Sequence, residues 1–146
     1  MLAVDPGLST GFASAEVDGA MSVFSFEAWT VKGHMESVDQ VRLAIVEGVD
    51  EVVCESFRIS GATATKTQAG SLVAIEIIGA ARWICYKRDV PFTLQTPADA
   101  KSFVTDEKLR ALGWYVPGID HSRDAARHLL LYLVRTGEVN VRQFLT

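Results

Sequence analysis

At 146 residues, with 49% apolar side chains and a net charge of −4, the chain has the size and composition of one globular domain, residues 1–146, able to bury a substantial core. No run of about 18 apolar residues is free of charge, and no basic segment followed by a continuous apolar one stands at the N-terminus, so neither a membrane span nor a signal peptide is indicated and a cytoplasmic location is expected. Cys54 and Cys85 lie far apart and in no C-x-x-C pattern, which argues against a zinc site or disulfide framework, and both are expected to be buried, reduced core residues.

Met1 to Val4 is a short apolar run ended by Asp5-Pro6-Gly7, which reads as a strand leading into a turn. Thr10 to Val17 and Met21 to Trp29 are strand-like, and Asp18-Gly19 between them is a signal for a two-residue hairpin. From Ser37 to Glu47, Val38, Val41, Leu43, Ala44 and Ile45 suit an amphipathic helix ending near Gly48. Asp50 to Glu55 returns as a strand. Thr63 to Lys87 has no proline and carries Leu72, Ile75, Ile78, Ala81 and Ile84 at helical spacing, which predicts one long helix. Val90 to Leu94 is a further strand. Thr96-Pro97 then marks an N-cap followed by proline at the first helical position, and Thr105 to Leu112 is a short helix stopped by Gly113. A final helix runs from Asp120 or His121 to Arg135, with Gly137 as its C-terminal signal. This order predicts an α/β domain: a mixed five-stranded sheet, an antiparallel meander plus parallel strands, flanked by helices.

Asp5 and Glu55 both end strands. If those strands are parallel neighbours, the two carboxylates converge on one sheet edge, where they coexist only if one is protonated or a cation lies between them. Asp124 stands in the first turn of the last helix, and His121, Asp124 and His128 follow one another along one of its faces. Ala125, Leu129, Leu130, Leu133 and Val134 supply the apolar surface that docks this helix. Hard oxygen donors suit Mg²⁺ or Mn²⁺, and paired ions about 4 Å apart are a known way to cleave phosphodiesters. Each residue also has an ordinary reading: Asp before Pro-Gly is common in turns, an acid in a first helical turn is favoured by the dipole, and a histidine there can simply be exposed. Charge is uneven, with two basic against ten acidic residues in 1–57 and twelve against eight in 58–146. That distribution fits a basic face beside an acidic centre, and equally an ordinary solvated surface.

Taken together, V-D-P-G-L-S-T-G-F-A at 4–13, V-V-C-E-S-F at 52–57 and H-S-R-D-A-A at 121–126 resemble the RuvC-like Holliday junction resolvases of the RNase H-like superfamily, including phage-encoded members. The resemblance covers nearly the whole chain. It implies a structure-selective, crossover-junction endodeoxyribonuclease that cleaves branched DNA (four-way junctions, forks, flaps) as a homodimer, with two Mg²⁺ or Mn²⁺ ions per active site held by Asp5, Glu55, His121 and Asp124. Alternatives are an RNase H-like nuclease acting on flap or single-stranded DNA or RNA ends, and a non-catalytic junction-binding protein. The resemblance also implies that the segment after Glu55 lies over DNA and that the long helix takes part in dimer contacts. Phe57 would stack on an unpaired base, a contact worth about 1–3 kcal/mol, and Arg58 would hold phosphate. Packing of Phe57 at the strand end is the plain alternative. Lys101 and Lys108 resemble basic residues that face the junction backbone, or are exposed helix lysines. Arg123 and Arg127 would contact phosphate or pair with Asp120 and Asp124. Only four residues precede Asp5, about 14 Å of extended chain at most, which places the amino terminus near the catalytic edge.

Overall fold

In the computed structural model, which describes residues 1–19, 22–58, 69–118 and 120–140, β1 (Leu2–Asp5), β2 (Ser9–Val17) and β3 (Val23–Lys32) pair antiparallel in turn. The expected two-residue hairpin is not formed. Val17 pairs with Val23, and the strands are joined through 18–22. The Asp18 N–H donates to the Ser22 carbonyl and the Ser22 N–H to Asp18 Oδ1, both at 3.0 Å, so the aspartate closes a wider loop with its own side chain. Gly19 accordingly does not take the positive φ that a primed turn requires.

Helix α1 (His34–Val46) starts ahead of Ser37 because Gly33, at φ 104, turns the chain directly out of β3. The Ser37 N–H and Oγ then donate to the Gly33 carbonyl at 3.1 and 2.7 Å. Strand β4 (Val52–Glu55) lies parallel to β1, and β5 (Phe92–Gln95) parallel to β4, giving the order β3-β2-β1-β4-β5. The mixed five-stranded sheet expected from the sequence is thus formed. Between these strands runs α2 (Ala69–Lys87); the part of the expected helix at 63–68 lies outside the described residues. Helices α3 (Pro97–Phe103), α4 (Asp106–Leu112) and α5 (Asp120–Arg135) follow. Their ends carry the expected signals. Thr96 Oγ1 accepts from the Asp99 N–H at 3.2 Å and Thr105 Oγ1 from the Lys108 N–H at 3.4 Å, while Gly113 and Gly137 take left-handed φ of 71° and 75° after α4 and α5.

Period-two alternation divides the core between the sheet's two faces. Leu2, Val4, Phe12, Val52 and Cys54 pack under α1 and α2 with Val41, Ala81 and Cys85. Ala3, Ala13, Ala15 and Val53 pack under α5 with Ala125, Ala126, Leu129 and Leu133. Each buried leucine stabilises this docking by about 1.5–3 kcal/mol, so apolar contacts anchor α5 and its polar positions do not have to. Both cysteines are free and buried. The Met1 ammonium donates to the Ala15 carbonyl at 3.1 Å and faces Asp50 at 3.6 Å, so the amino terminus lies at the opposite end of β1 from Asp5 rather than at the same edge. No helix among the described residues is long and apolar enough to cross a membrane.

Candidate active site

The alternation that directs Ala3 and Val53 toward α5 directs Asp5 and Glu55 the same way, one residue beyond the last hydrophobic pair. Glu55 in turn pairs in register with Gln95. Asp5, Glu55 and Gln95 therefore stand side by side along the C-terminal edge of β1, β4 and β5. Helix α5 crosses over this row. His121 Nδ1 lies 3.1 Å from Asp5 Oδ2; two turns on, His128 Nε2 lies 2.8 Å from Glu55 Oε2 and Nδ1 3.1 Å from Gln95 Oε1. Further along, the Tyr132 hydroxyl donates to Glu51 and accepts from Thr93 Oγ1.

Two features of the first motif make this approach possible. Thr10 is fully buried; its Oγ1 donates to the Gly7 carbonyl at 3.2 Å and accepts from the Gly7 N–H at 3.4 Å, fixing the turn that follows Asp5. At Gly11 the helix rests on bare backbone. A Cβ there would meet the carbonyl oxygen of His121 at 2.0 Å and Ser122 N at 2.6 Å.

Asp5 is 6% exposed. Its carboxyl is pushed up to about 7, first by burial and then by the charge of Glu55, with Asp124 adding to the rise and the His121 contact opposing it. A carboxylate so placed is relieved by a proton or by a cation. The surrounding donors, carboxylates with one imidazole, fit a hard divalent ion such as Mg²⁺ or Mn²⁺. Cys54 adds no soft ligand, since it packs on the opposite face and burial pushes its thiol up. Among the described residues, however, no three His, Cys, Asp or Glu side chains already close on one point. Asp124 is held by Arg127, which bridges it to Asp106, and Lys101 Nζ lies 3.4 Å from its Oδ2. Its charge is therefore met by Arg127 and Lys101.

The residues expected to contact DNA are placed differently from one another. Just past β4, Phe57 is half-buried and Arg58 exposed. Lys101 is paired with Asp124. Lys108 folds back, its Nζ donating to the Phe103 carbonyl and lying 4.4 Å from the Phe103 ring centroid. Arg123 donates to the Tyr115 hydroxyl at 3.1 Å and the Val116 carbonyl at 3.4 Å, and faces Asp106. Two participants were not assigned from the sequence. His128 carried a signal in its spacing from His121, but it is fully buried rather than exposed. Gln95 carried only a polar residue at the end of an alternating strand.

The element order and sheet topology are those of an RNase H-like fold of the RuvC type. No family model and no curated protein matches the chain by sequence. Among solved structures, it is similar to Thermus thermophilus RuvC in complex with a Holliday junction substrate, with a TM-score of 0.57, 20% identity and coverage of 94% of this chain and 98% of that one. A second structure of T. thermophilus RuvC matches with a TM-score of 0.55, 18% identity and the same coverage. The fowlpox virus resolvase in complex with its substrate Holliday junction DNA matches with a TM-score of 0.57, 14% identity and coverage of 92% and 98%. The resemblance carried by three short motifs thus extends to the fold of nearly the whole chain.

Proposed function

We propose that the chain is a divalent-metal-dependent endonuclease that cuts branched DNA, with Holliday junction resolution as its leading activity. One observation carries the reading. Asp5, buried at the end of β1, shares its edge with Glu55 of the parallel neighbour β4 and touches His121 of α5, so that acidic groups from distant parts of the chain meet where a proton or a cation must relieve them. The similar fold of two junction-bound resolvases supports the choice of substrate.

Asp5, Glu55 and Asp124 would hold the Mg²⁺ or Mn²⁺ ions, and His121 would bind an ion or orient the attacking water. Bound there, such ions activate water and stabilise the leaving oxygen of a phosphodiester. To take part, Asp124 would give up its contacts with Arg127 and Lys101; Lys101 would then be available to the DNA backbone, while Arg127 would keep Asp106 and the Val104 carbonyl. Phe57 and Arg58, two and three residues after Glu55, would meet the branch point.

Two coordinated incisions call for two active sites related by a twofold axis. Leu72, Ile75, Trp83 and Tyr86 form an exposed apolar stripe along α2, and Gly79 lies on the same stripe, where an added Cβ would meet nothing within 4 Å. A glycine inside a helix costs about 1 kcal/mol relative to alanine, and no contact within the described chain explains it here. Close approach of α2 from a second copy would.

The test is cleavage of four-way junction, fork, flap, single-stranded DNA and RNA by the purified protein with Mg²⁺, Mn²⁺ or chelator. Paired symmetrical nicks in the junction, abolished by chelator, are expected. Preferred cleavage of flap, single strand or RNA would move the substrate assignment, and binding without cleavage under every metal condition would make this a junction-binding protein.

A further inference from the structure

We infer that His128 is a positioning residue for Glu55: with Gln95 behind it, it forms a buried hydrogen-bond relay that holds one oxygen of the Glu55 carboxylate and leaves the other to serve as ligand. The inference rests on the reading of Glu55 as a metal ligand and extends it to residues outside the H-x-x-D motif.

His128 is fully buried among apolar neighbours of α5, where an imidazole is unfavourable unless its ring nitrogens are bonded. Both are. Nε2 faces Glu55 Oε2 at 2.8 Å, and Nδ1 faces the side-chain amide of Gln95 at 3.1 Å. A neutral imidazole has one N–H, so two acceptors at once would leave one contact unmade. The amide of Gln95 resolves this, because its Nε2 is buried without a hydrogen-bond partner. The oxygen and nitrogen of an amide are alike in shape, and exchanging them lets Gln95 Nε2–H donate to His128 Nδ1. That fixes the single imidazole proton on Nε2, where it is donated to Glu55. The direction of the relay, Gln95 to His128 to Glu55, follows from this one proton.

The strand register supports the arrangement independently. Glu55 and Gln95 are paired residues on β4 and β5, so the two ends of the relay are held side by side by the sheet and its middle by the docked helix. A ligand carboxylate held by such an outer hydrogen bond loses less freedom when a metal binds, and removing partners of this kind typically weakens metal affinity by about 10–100-fold. What His128 offers Glu55 in this arrangement is a hydrogen bond from its Nε2–H.

The experiment is Mn²⁺ titration of the full chain without DNA, followed by electron paramagnetic resonance, on wild type, His128→Leu, His128→Gln, Gln95→Leu and Glu55→Gln, each checked for folding by its thermal transition. His128→Leu is expected to weaken Mn²⁺ binding by about 10–100-fold. His128→Gln, whose neutral amide can offer Glu55 an N–H, is expected to restore most of it, and a long-range ¹H–¹⁵N spectrum should show His128 as the Nε2–H tautomer. Wild-type Mn²⁺ affinity in folded His128→Leu, no rescue by glutamine, or the Nδ1–H tautomer overturns the proposal. If His128→Leu does not fold, Gln95→Leu decides: weakened binding supports the relay and unchanged binding overturns it. Unchanged binding in Glu55→Gln instead defeats the metal-site reading itself, a separate outcome.

Discussion

A Cβ on Gly11 of β2 would stand 2.0 Å from the carbonyl oxygen of His121 and 2.1 Å from its carbonyl carbon, so the first turn of α5 is seated against a strand position that tolerates no side chain. The opposing atoms are backbone and cannot rotate aside. Gly11→Ala should therefore lift the start of α5, lower stability by about 1–3 kcal/mol in a denaturant titration, and reduce cleavage further by separating His121 from Asp5. An alanine variant as stable and active as wild type would mean that α5 does not dock this closely.

Much of this site is legible in the sequence because it is built from strand ends. Asp5-Pro6-Gly7 terminates β1, and the order of strands and helices makes β1 and β4 parallel neighbours, which is enough to bring Asp5 and Glu55 to one edge. The same alternation explains why Gln95 joins them, although its role depends on the β4–β5 register. What local pattern does not reveal is which partner a polar side chain chooses. Asp124 has a visible helical neighbour in Arg127, but the second carboxylate on that guanidinium, Asp106, comes from another helix. Lys108 reads as an exposed lysine until its fold-back onto Phe103 is seen. Likewise Asp18-Gly19 carries a turn signal, yet the aspartate side chain bonds to Ser22 and opens a wider loop.

The raised carboxyl of Asp5 makes stability depend on pH in a defined direction. With an ordinary value of 3.8 and a folded value of about 7, the native chain keeps a proton that the unfolded chain releases. Across that window stability falls as pH rises, since the folded state binds more protons there. Asp5→Asn removes this dependence while keeping the shape of the side chain. In chelator it should melt higher than wild type, with an advantage that grows by on the order of 2 kcal/mol from pH 5 to pH 8, and it should not cleave junctions. An advantage that is constant with pH would show that Asp5 does not carry the shift.

Arg127 bridges Asp106 and Asp124 while its Nε donates to the Val104 carbonyl at 3.2 Å, so it ties together α4, α5 and the end of α3. Arg127→Met leaves two carboxylates without their shared cation. It should lose on the order of 1–3 kcal/mol in chelator. Mn²⁺ should then raise its melting temperature more than it raises that of wild type, because Asp124 then has only Lys101, and no longer Arg127, to leave in order to bind metal. Equal Mn²⁺ shifts in the two proteins would place Asp124 outside the metal site.

The exposed stripe of α2 separates assembly from chemistry. Leu72, Ile75, Trp83 and Tyr86 repeat at helical spacing on one side of the helix, with Gly79 among them, and the opposite side supplies buried Ala81 and Cys85 to the core. Ile75→Glu places a charge on the stripe without touching that core, so the subunit should remain folded while a twofold association through α2 is opposed by two like charges. Sedimentation should show a dimer in wild type and a monomer in Ile75→Glu. Mn²⁺ binding should be unaffected, because Asp5 and Glu55 lie under α5 on the other face of the sheet. Junction cleavage should change in kind as well as in rate, with single nicks replacing paired ones. A monomeric wild-type chain that makes paired nicks would show that the two incisions need no second subunit, and a dimer undisturbed by Ile75→Glu would place the contact elsewhere on the molecule.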